Sequence, residues 1–384
     1  MTRRLERSRI ISLTMATAVL VAAMLALGVP ARAQNASSKR LGPDPRRYQT
    51  VVDKAVRYLT TQAQAEDGSY SSQAGIGPTA LVTAALLQHG RGPSDPAVAK
   101  SLTYLEGFVQ GDGGIYTPGT FYKNYETCLA IVCFKEANRD GRYDKLLERA
   151  EAFVKGIQFD ESEGKNRSDL DYGGAGYGRH KRPDLSNTSF LVDTLHALGR
   201  GPEDDAIQRA LVFVSRCQNL ETEHNTTPFA AKNPDGGFYY TCAGGGQSQA
   251  GETPTGGLRS YASMTYAGLK SMIYAGVGKD DPRVKAAVEW IRRHYDLSSN
   301  PGMGQAGLYY YYHTFAKALS AFGVDQFEDA DGARHDWRAE LVDELARRQR
   351  PDGSWVNEND RWLEGDPALV TGYALLALRY CRPE

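Results

Sequence analysis

The chain has 384 residues, a formal charge of −1, 41% hydrophobic residues and 24% charged residues. That is apolar mass for a sizeable core in one large or two ordinary domains. The near-neutral balance supplies no electrostatic footprint for nucleic acid, so no nucleic-acid partner is expected.

The first 33 residues carry five Arg and one Glu, then an apolar run from Leu13 to Val29, then Pro30-Ala-Arg-Ala33 with its A-x-A pattern. This reads as a secretory signal peptide cleaved after Ala33, which puts the mature chain in a secreted or periplasmic location. The other reading of the same run is an uncleaved membrane anchor. Without those residues the formal charge moves from −1 to −5. A linker over 34–47 and one domain over 48–384 complete the expected organisation. Five cysteines, Cys128, Cys133, Cys217, Cys242 and Cys381, are odd in number and too sparse for a disulfide-stapled scaffold. A bridge between Cys217 and Cys242, or between Cys128 and Cys133, stays open, with at least one free thiol expected.

Self-similarity along the chain is the strongest signal. Five segments open on a basic and a small residue and then reach an aromatic followed by an aliphatic: Lys54 to Leu59, Lys100 to Leu105, Arg149 to Val154, Arg209 to Val214 and Lys285 to Ile291. A sixth, Arg338 to Leu345, is looser. Gln follows in most copies, at Gln64, Gln110, Gln158, Gln218 and Gln349, and then a glycine turn with an aromatic, clearest in Asp352-Gly-Ser-Trp355. The fifth turn is taken as Gly304 to Tyr309. A more apolar segment comes next each time: Thr79 to Gln88, Thr127 to Glu136, Thr188 to Leu198, Ser263 to Ala275, His313 to Phe322 and Thr371 to Tyr380. An amphipathic helix followed by one that is apolar all round predicts an outer helix and an inner helix walled on both sides. Six such hairpins predict an all-α fold, an (α/α)6 toroid, because units of this kind bury their apolar faces only against neighbours.

The order basic, small, aromatic, aliphatic, Gln, Gly, aromatic resembles the QW repeat of squalene/hopene cyclases and, more broadly, the terpenoid-cyclase and protein-prenyltransferase β-subunit toroid. The resemblance covers essentially the whole mature chain. It implies a central cavity for an apolar, isoprenoid ligand and acid-initiated, cyclase-like isomerisation. Those cyclases carry two helical domains and an Asp-x-Asp-Asp acid; the nearest text here is Asp169-Leu-Asp171-Tyr172, which makes Asp169 and Asp171 the candidate acids. Tyr310-Tyr-Tyr-His313-Thr314 is similar to the Tyr-His-Thr segment of prenyltransferase β subunits, which places His313 at their metal-ligand position. The matching Asp-x-Cys falls at Tyr261-Ala-Ser263, where both ligands are missing, so no metal and no cofactor are expected and prenyl transfer is disfavoured.

Tyr239, Tyr261, Tyr309, Tyr310 and Tyr312 are the candidate ligand-binding aromatics, since ring faces stabilise cations and pack against apolar bodies. Helix-to-helix packing is the bland reading of the same rings. His89, His180 and His224 show no ligand spacing. The longest insertion, Asn219 to Gly257, is expected to cover one face of the ring. The expected partner is an apolar or isoprenoid small molecule, with contact at the membrane periphery left open and no protein partner assigned. A non-catalytic scaffold for protein or glycan, and a polysaccharide-degrading enzyme, are the alternative functions.

Overall fold

The computed structural model describes residues 41–178 and 182–383. The expected signal peptide, its cleavage site after Ala33, half of the expected linker (34–40) and His180 lie outside the described residues.

Twelve helices alternate outer and inner along the described chain. The outer six are α1 (Pro45–Tyr58), α3 (Pro96–Glu106), α5 (Asp144–Gly156), α7 (Asp205–Arg216), α9 (Pro282–Arg293) and α11 (Trp337–Arg348). The inner six are α2 (Gly77–Gln88), α4 (Lys123–Ala137), α6 (Leu185–Ala197), α8 (Ala262–Tyr274), α10 (Leu308–Phe322) and α12 (Pro367–Leu378). Asp44, Asp95, Asp281 and Asp366 each accept a bond from an N–H of the first turn, and the next residue is proline at the first helical position. Asp-Pro therefore starts four of these helices.

The two helix types differ as their sequences require. In α7 the buried residues include Ala206, Ile207, Ala210, Phe213 and Val214, one stripe at helical spacing. In α2 every residue from Gly77 to Leu87 is buried. Each inner helix packs against the next, and α12 packs back on α2, so the inner ring closes. The fold is thus an (α/α)6 toroid. A hairpin of β1 (Phe327–Glu328) and β2 (Arg334–His335) fills the link from α10 to α11.

The repeated motif is the fastening between neighbouring hairpins. Gln158 Nε2 donates to the Gly173 carbonyl of its own turn (2.8 Å) and to the Ala206 carbonyl of the next outer helix (2.9 Å). Gln218 does the same with Gly236 and Arg283, and Gln64 with Gly68 and Ala97. The turn glycine must be bare because the following outer helix presses on it. A Cβ on Gly173, which has φ +82°, would stand 1.8 Å from the Arg209 carbonyl oxygen. The basic-small pairs at Lys54, Lys100, Arg149, Arg209 and Lys285 supply that backbone surface. Thr79, Thr127, Thr188, Thr265 and Thr371 at the inner-helix starts accept from a backbone N–H of the preceding turn.

Two copies depart. Gln110 bonds only within its own turn, to Phe108 and Tyr116. The fifth turn ends earlier than the sequence suggests: α10 begins at Leu308, so Tyr309 to His313 belong to the helix.

Candidate functional site

The first turns of all six inner helices converge on a cavity of about 720 Å3. Pro78, Glu126, Asn187, Met264, Tyr310 and Leu369 represent α2, α4, α6, α8, α10 and α12 in its wall. Connecting loops add Tyr122, Tyr177, Tyr240, Gln249, Trp362 and Leu363. The insertion between α7 and α8 supplies Tyr240 and Gln249, so it contributes to one face of the ring as its length suggested.

Rings dominate the wall and are fixed against one another. Tyr125 meets Phe190 edge to face at 5.1 Å, and Tyr310 meets Tyr373 at 6.0 Å and 73°. Such pairs hold their orientation better than aliphatic contacts do. Their hydroxyls are also tied, Tyr125 to Tyr373 at 3.4 Å and Tyr310 to Ser186 at 3.2 Å.

Six helix N-termini pointing one way concentrate positive potential, and carboxylates answer it. Glu364 Oε1 accepts from the Tyr309 and Tyr310 amides at 3.0 and 2.8 Å, capping α10, whose own start is Gly307. Its Oε2 accepts from Asn357 Nδ2. Glu126 accepts from the Thr117 amide at 2.7 Å and lies so close to Gly75 that a Cβ there would stand 2.1 Å from Oε1. Burial raises the pKa of both groups, opposed by these donors.

Asp184 caps α6, accepting from the Asn187 amide and from Asn187 Nδ2, both at 2.9 Å. The nearby Tyr240 hydroxyl and Arg182 also favour its charged form. Burial pushes Asp184 up to about 6 against those donors. The folded state therefore keeps a proton that the unfolded chain releases near pH 4. The stability this contributes is complete below pH ~4 and is lost as pH rises through about 6. Asp184→Asn should flatten that part of the stability profile, measured by urea denaturation between pH 4 and 7. Parallel slopes in wild type and variant would refute the assignment.

The cavity lip is strained. Trp362 and Leu363 have φ of 59° and 66°, a left-handed pair of non-glycine residues costing about 1–3 kcal/mol each. Glu364, bonded to α10, pins one side of this pair. Arg361 Nη2 pins the other by donating to Gln249 Oε1 at 2.6 Å across the opening. Both lip side chains are exposed, as are Phe121 and Tyr122 on the loop before α4.

The candidates chosen from sequence are dispersed by the fold. Tyr261 and Tyr310 line the cavity. Tyr239 points outward, donating to the Arg216 carbonyl at 2.6 Å, and Tyr312 does likewise to Leu297 at 2.6 Å. Tyr309 packs edge to face on Tyr312, away from the cavity. Asp169 and Asp171 are not among the residues that line the cavity. They sit in the third fastening turn, Asp169 accepting from the Asn166 amide and Asp171 paired with Lys165 at 3.1 Å, both with access to solvent. His313 is buried one turn beyond Tyr310, its ring 6.1 Å from that of Tyr373, and burial with Lys317 nearby holds its pKa down at about 3. It is neutral at ordinary pH. All five cysteines are buried free thiols.

Sequence reasoning missed Asp184, Asn187, Tyr177, Glu126 and Glu364. Asp184-Leu-Ser-Asn187 was readable as a helix start, with a capping Asp at the right place. Tyr177 and Tyr240 sit in irregular loops and gave no periodic signal.

No protein-family model matches the chain, and no curated protein matches it. Solved structures do resemble it in fold. The type II terpene cyclase MstE from Scytonema is 15% identical, with a TM-score of 0.52 over 88% of this chain and 98% of that one. A possible GH105 family member from Salmonella enterica serovar Paratyphi A is 11% identical, with a TM-score of 0.51 over 88% and 94%. A family 76 glycoside hydrolase from Bacteroides thetaiotaomicron is 12% identical, with a TM-score of 0.50 over 86% and 77%. At these identities the likeness establishes the α/α toroid, a fold that carries several chemistries.

Proposed function

We propose that the protein binds a ligand with an apolar, isoprenoid-sized body in the central cavity and works outside the cytoplasm, where the N-terminal apolar run would direct it. The supporting observation is the ring-walled cavity of about 720 Å3, within the range of small-molecule sites. A scaffold with no small ligand would fill its centre with side chains instead. The exposed Phe121, Tyr122, Trp362 and Leu363 at the lip suit delivery from a lipid phase, since such residues settle at membrane interfaces. No described helix is long and apolar enough to cross a membrane.

Binding is favoured over acid-initiated isomerisation because the cavity carboxylates Glu126 and Glu364 are already engaged in holding backbone amides of the wall. In favour of the isomerase reading is the burial of Asp184, Glu126 and Glu364, which raises the pKa of each. A glycan-degrading site would need two carboxylates free to serve as acid and base.

Purified protein should release an apolar compound on organic extraction, detected by mass spectrometry, and delipidated protein should take up squalene. Ser186→Trp, which puts an indole into the cavity, should cut squalene uptake at least about tenfold while the helical circular dichroism persists. Absence of both extractable lipid and uptake would remove the reading.

A further inference from the structure

The link from α11 to α12 makes a loop with a pinched neck at the cavity mouth. The Asn357 amide donates to the Glu364 carbonyl at 2.9 Å, and Asn357 Nδ2 donates to Glu364 Oε2 at 2.7 Å. Both neck residues are buried and tied to the wall, Glu364 through the α10 amides and Asn357 through the Gln305 carbonyl at 2.6 Å. The six residues between them, 358–363, are all exposed. A loop whose ends are bonded together can swing about that neck without disturbing the helices on either side.

The loop also holds its own shape. The Arg361 amide donates to Asn359 Oδ1 at 3.1 Å and the Leu363 amide to the Asp360 carbonyl at 3.0 Å. Its tip is where cavity and solvent meet: Trp362 and Leu363 line the chamber yet are 45% and 54% exposed, so they stand between the two.

Two side chains fasten the tip to other parts of the rim. Arg361 Nη2 donates to Gln249 Oε1 at 2.6 Å, and Gln249 belongs to the insertion between α7 and α8. The same guanidinium lies 4.2 Å from the centroid of the Trp362 ring. The indole in turn rests on bare backbone, since a Cβ on Gly307 would stand 3.0 Å from Trp362 Cζ3. Arg361 is exposed, so water competes for its bond and the fastening is reversible. The left-handed conformations of Trp362 and Leu363 work against it, because strain of this kind persists only while the surroundings hold it.

We infer that residues 358–363 are a lid on the cavity, hinged at the Asn357–Glu364 neck and latched by Arg361 on Gln249, and that release of the latch relieves the strained pair and admits the ligand. This rests on the cavity being the ligand site.

The test follows uptake and release of all-trans-retinol, a fluorescent isoprenoid, by delipidated full-length protein in stopped flow. Arg361→Met removes the latch donor and keeps an unbranched stem, and it should raise the association and dissociation rates together, each at least about tenfold. A latch bars the way in and the way out alike, whereas loss of a plain wall contact moves dissociation alone. In a Gln249→Cys/Arg361→Cys double variant, joining the two thiols with a short bis-maleimide should slow both rates at least about tenfold relative to the same protein before joining. The native thiols are buried, and wild type treated with the reagent is the control. Rates unchanged in Arg361→Met, rates unchanged on joining, or a change in dissociation alone would overturn the lid while leaving the cavity reading standing. Retinol taken up by none of these proteins would remove the cavity reading and the lid with it.

Discussion

Asp193→Ala should destabilise the protein by about 3–5 kcal/mol, more than any other polar substitution proposed for it. Asp193 lies on α6 one turn beyond Phe190, and its Oδ2 receives Lys270 Nζ of α8 at 2.6 Å and Lys317 Nζ of α10 at 2.9 Å. All three side chains are 15% exposed or less. Burial alone would raise the Asp193 pKa, yet two ammoniums outweigh it and bring the group down to about 2. Burial also pushes Lys270 down to about 8. Removing the carboxylate strands the fully buried Lys270 and leaves the partly buried Lys317 without its partner, and one carboxylate is what joins three inner helices. The signs differ between partners. Asp193 stabilises the fold above its ordinary pKa near 4 and loses that contribution as pH falls toward about 2. Lys270 carries a penalty that is complete at neutral pH and fades as pH rises through about 8. Urea denaturation reads the loss directly. Adding Lys270→Met to Asp193→Ala should recover part of it, a coupling expected of groups in contact. A single-variant loss below about 1 kcal/mol would show that the cluster is hydrated and the argument from burial mistaken.

The same helices show why fold and site differed in legibility. The fastenings are made from residues close in sequence, so Gln, turn glycine and aromatic recur at fixed spacing and the toroid can be read from them. The cavity takes a few residues from each of six helix starts, and the residues turned to it share no type: Pro78, Glu126, Asn187, Met264, Tyr310 and Leu369. The tyrosine run illustrates the loss. Beginning α10 at His313 hides the helical phase of Tyr309 to Tyr312; with α10 starting at Leu308, rotation of about 100° per residue turns Tyr310 toward the cavity. It carries Tyr311 and Tyr312 outward, where their hydroxyls meet the Asp296 and Leu297 carbonyls. Asp169 and Asp171 lie away from the cavity for a different reason. They match a motif's letters, but the third turn is a fastening like the others, and its carboxylates serve local bonds.

Trp355→Ala should cost about 3–5 kcal/mol, and its effect should reach helices far from it in sequence. Trp355 is fully buried, with its indole N–H donating to the Leu345 carbonyl at 2.8 Å and its amide to Thr371 Oγ1 at 3.1 Å. It thereby joins the end of α11 to the start of α12. The adjoining Gln349 Nε2 donates to Gly353 in its own turn at 3.0 Å and to the Val51 carbonyl of α1 at 2.9 Å. A Cβ on Gly353 would lie 2.3 Å from the Lys54 carbonyl oxygen, so α1 rests directly on this turn. The sixth fastening is the contact that closes the ring between its last and first outer helices. A large-to-small change there removes the indole's packing and one of the two bonds to the Leu345 carbonyl, which keeps the Gln349 amide at 3.0 Å. The turn then loses its support, and the seat of α1 goes with it. Hydrogen exchange should show protection falling in α1 as well as in α11 and α12, while α5 to α7, fastened through Gln158 and Gly173, stay protected in the folded variant. Exchange changes confined to α11 and α12 would mean that α1 is held by its own packing, and that closure does not depend on this joint.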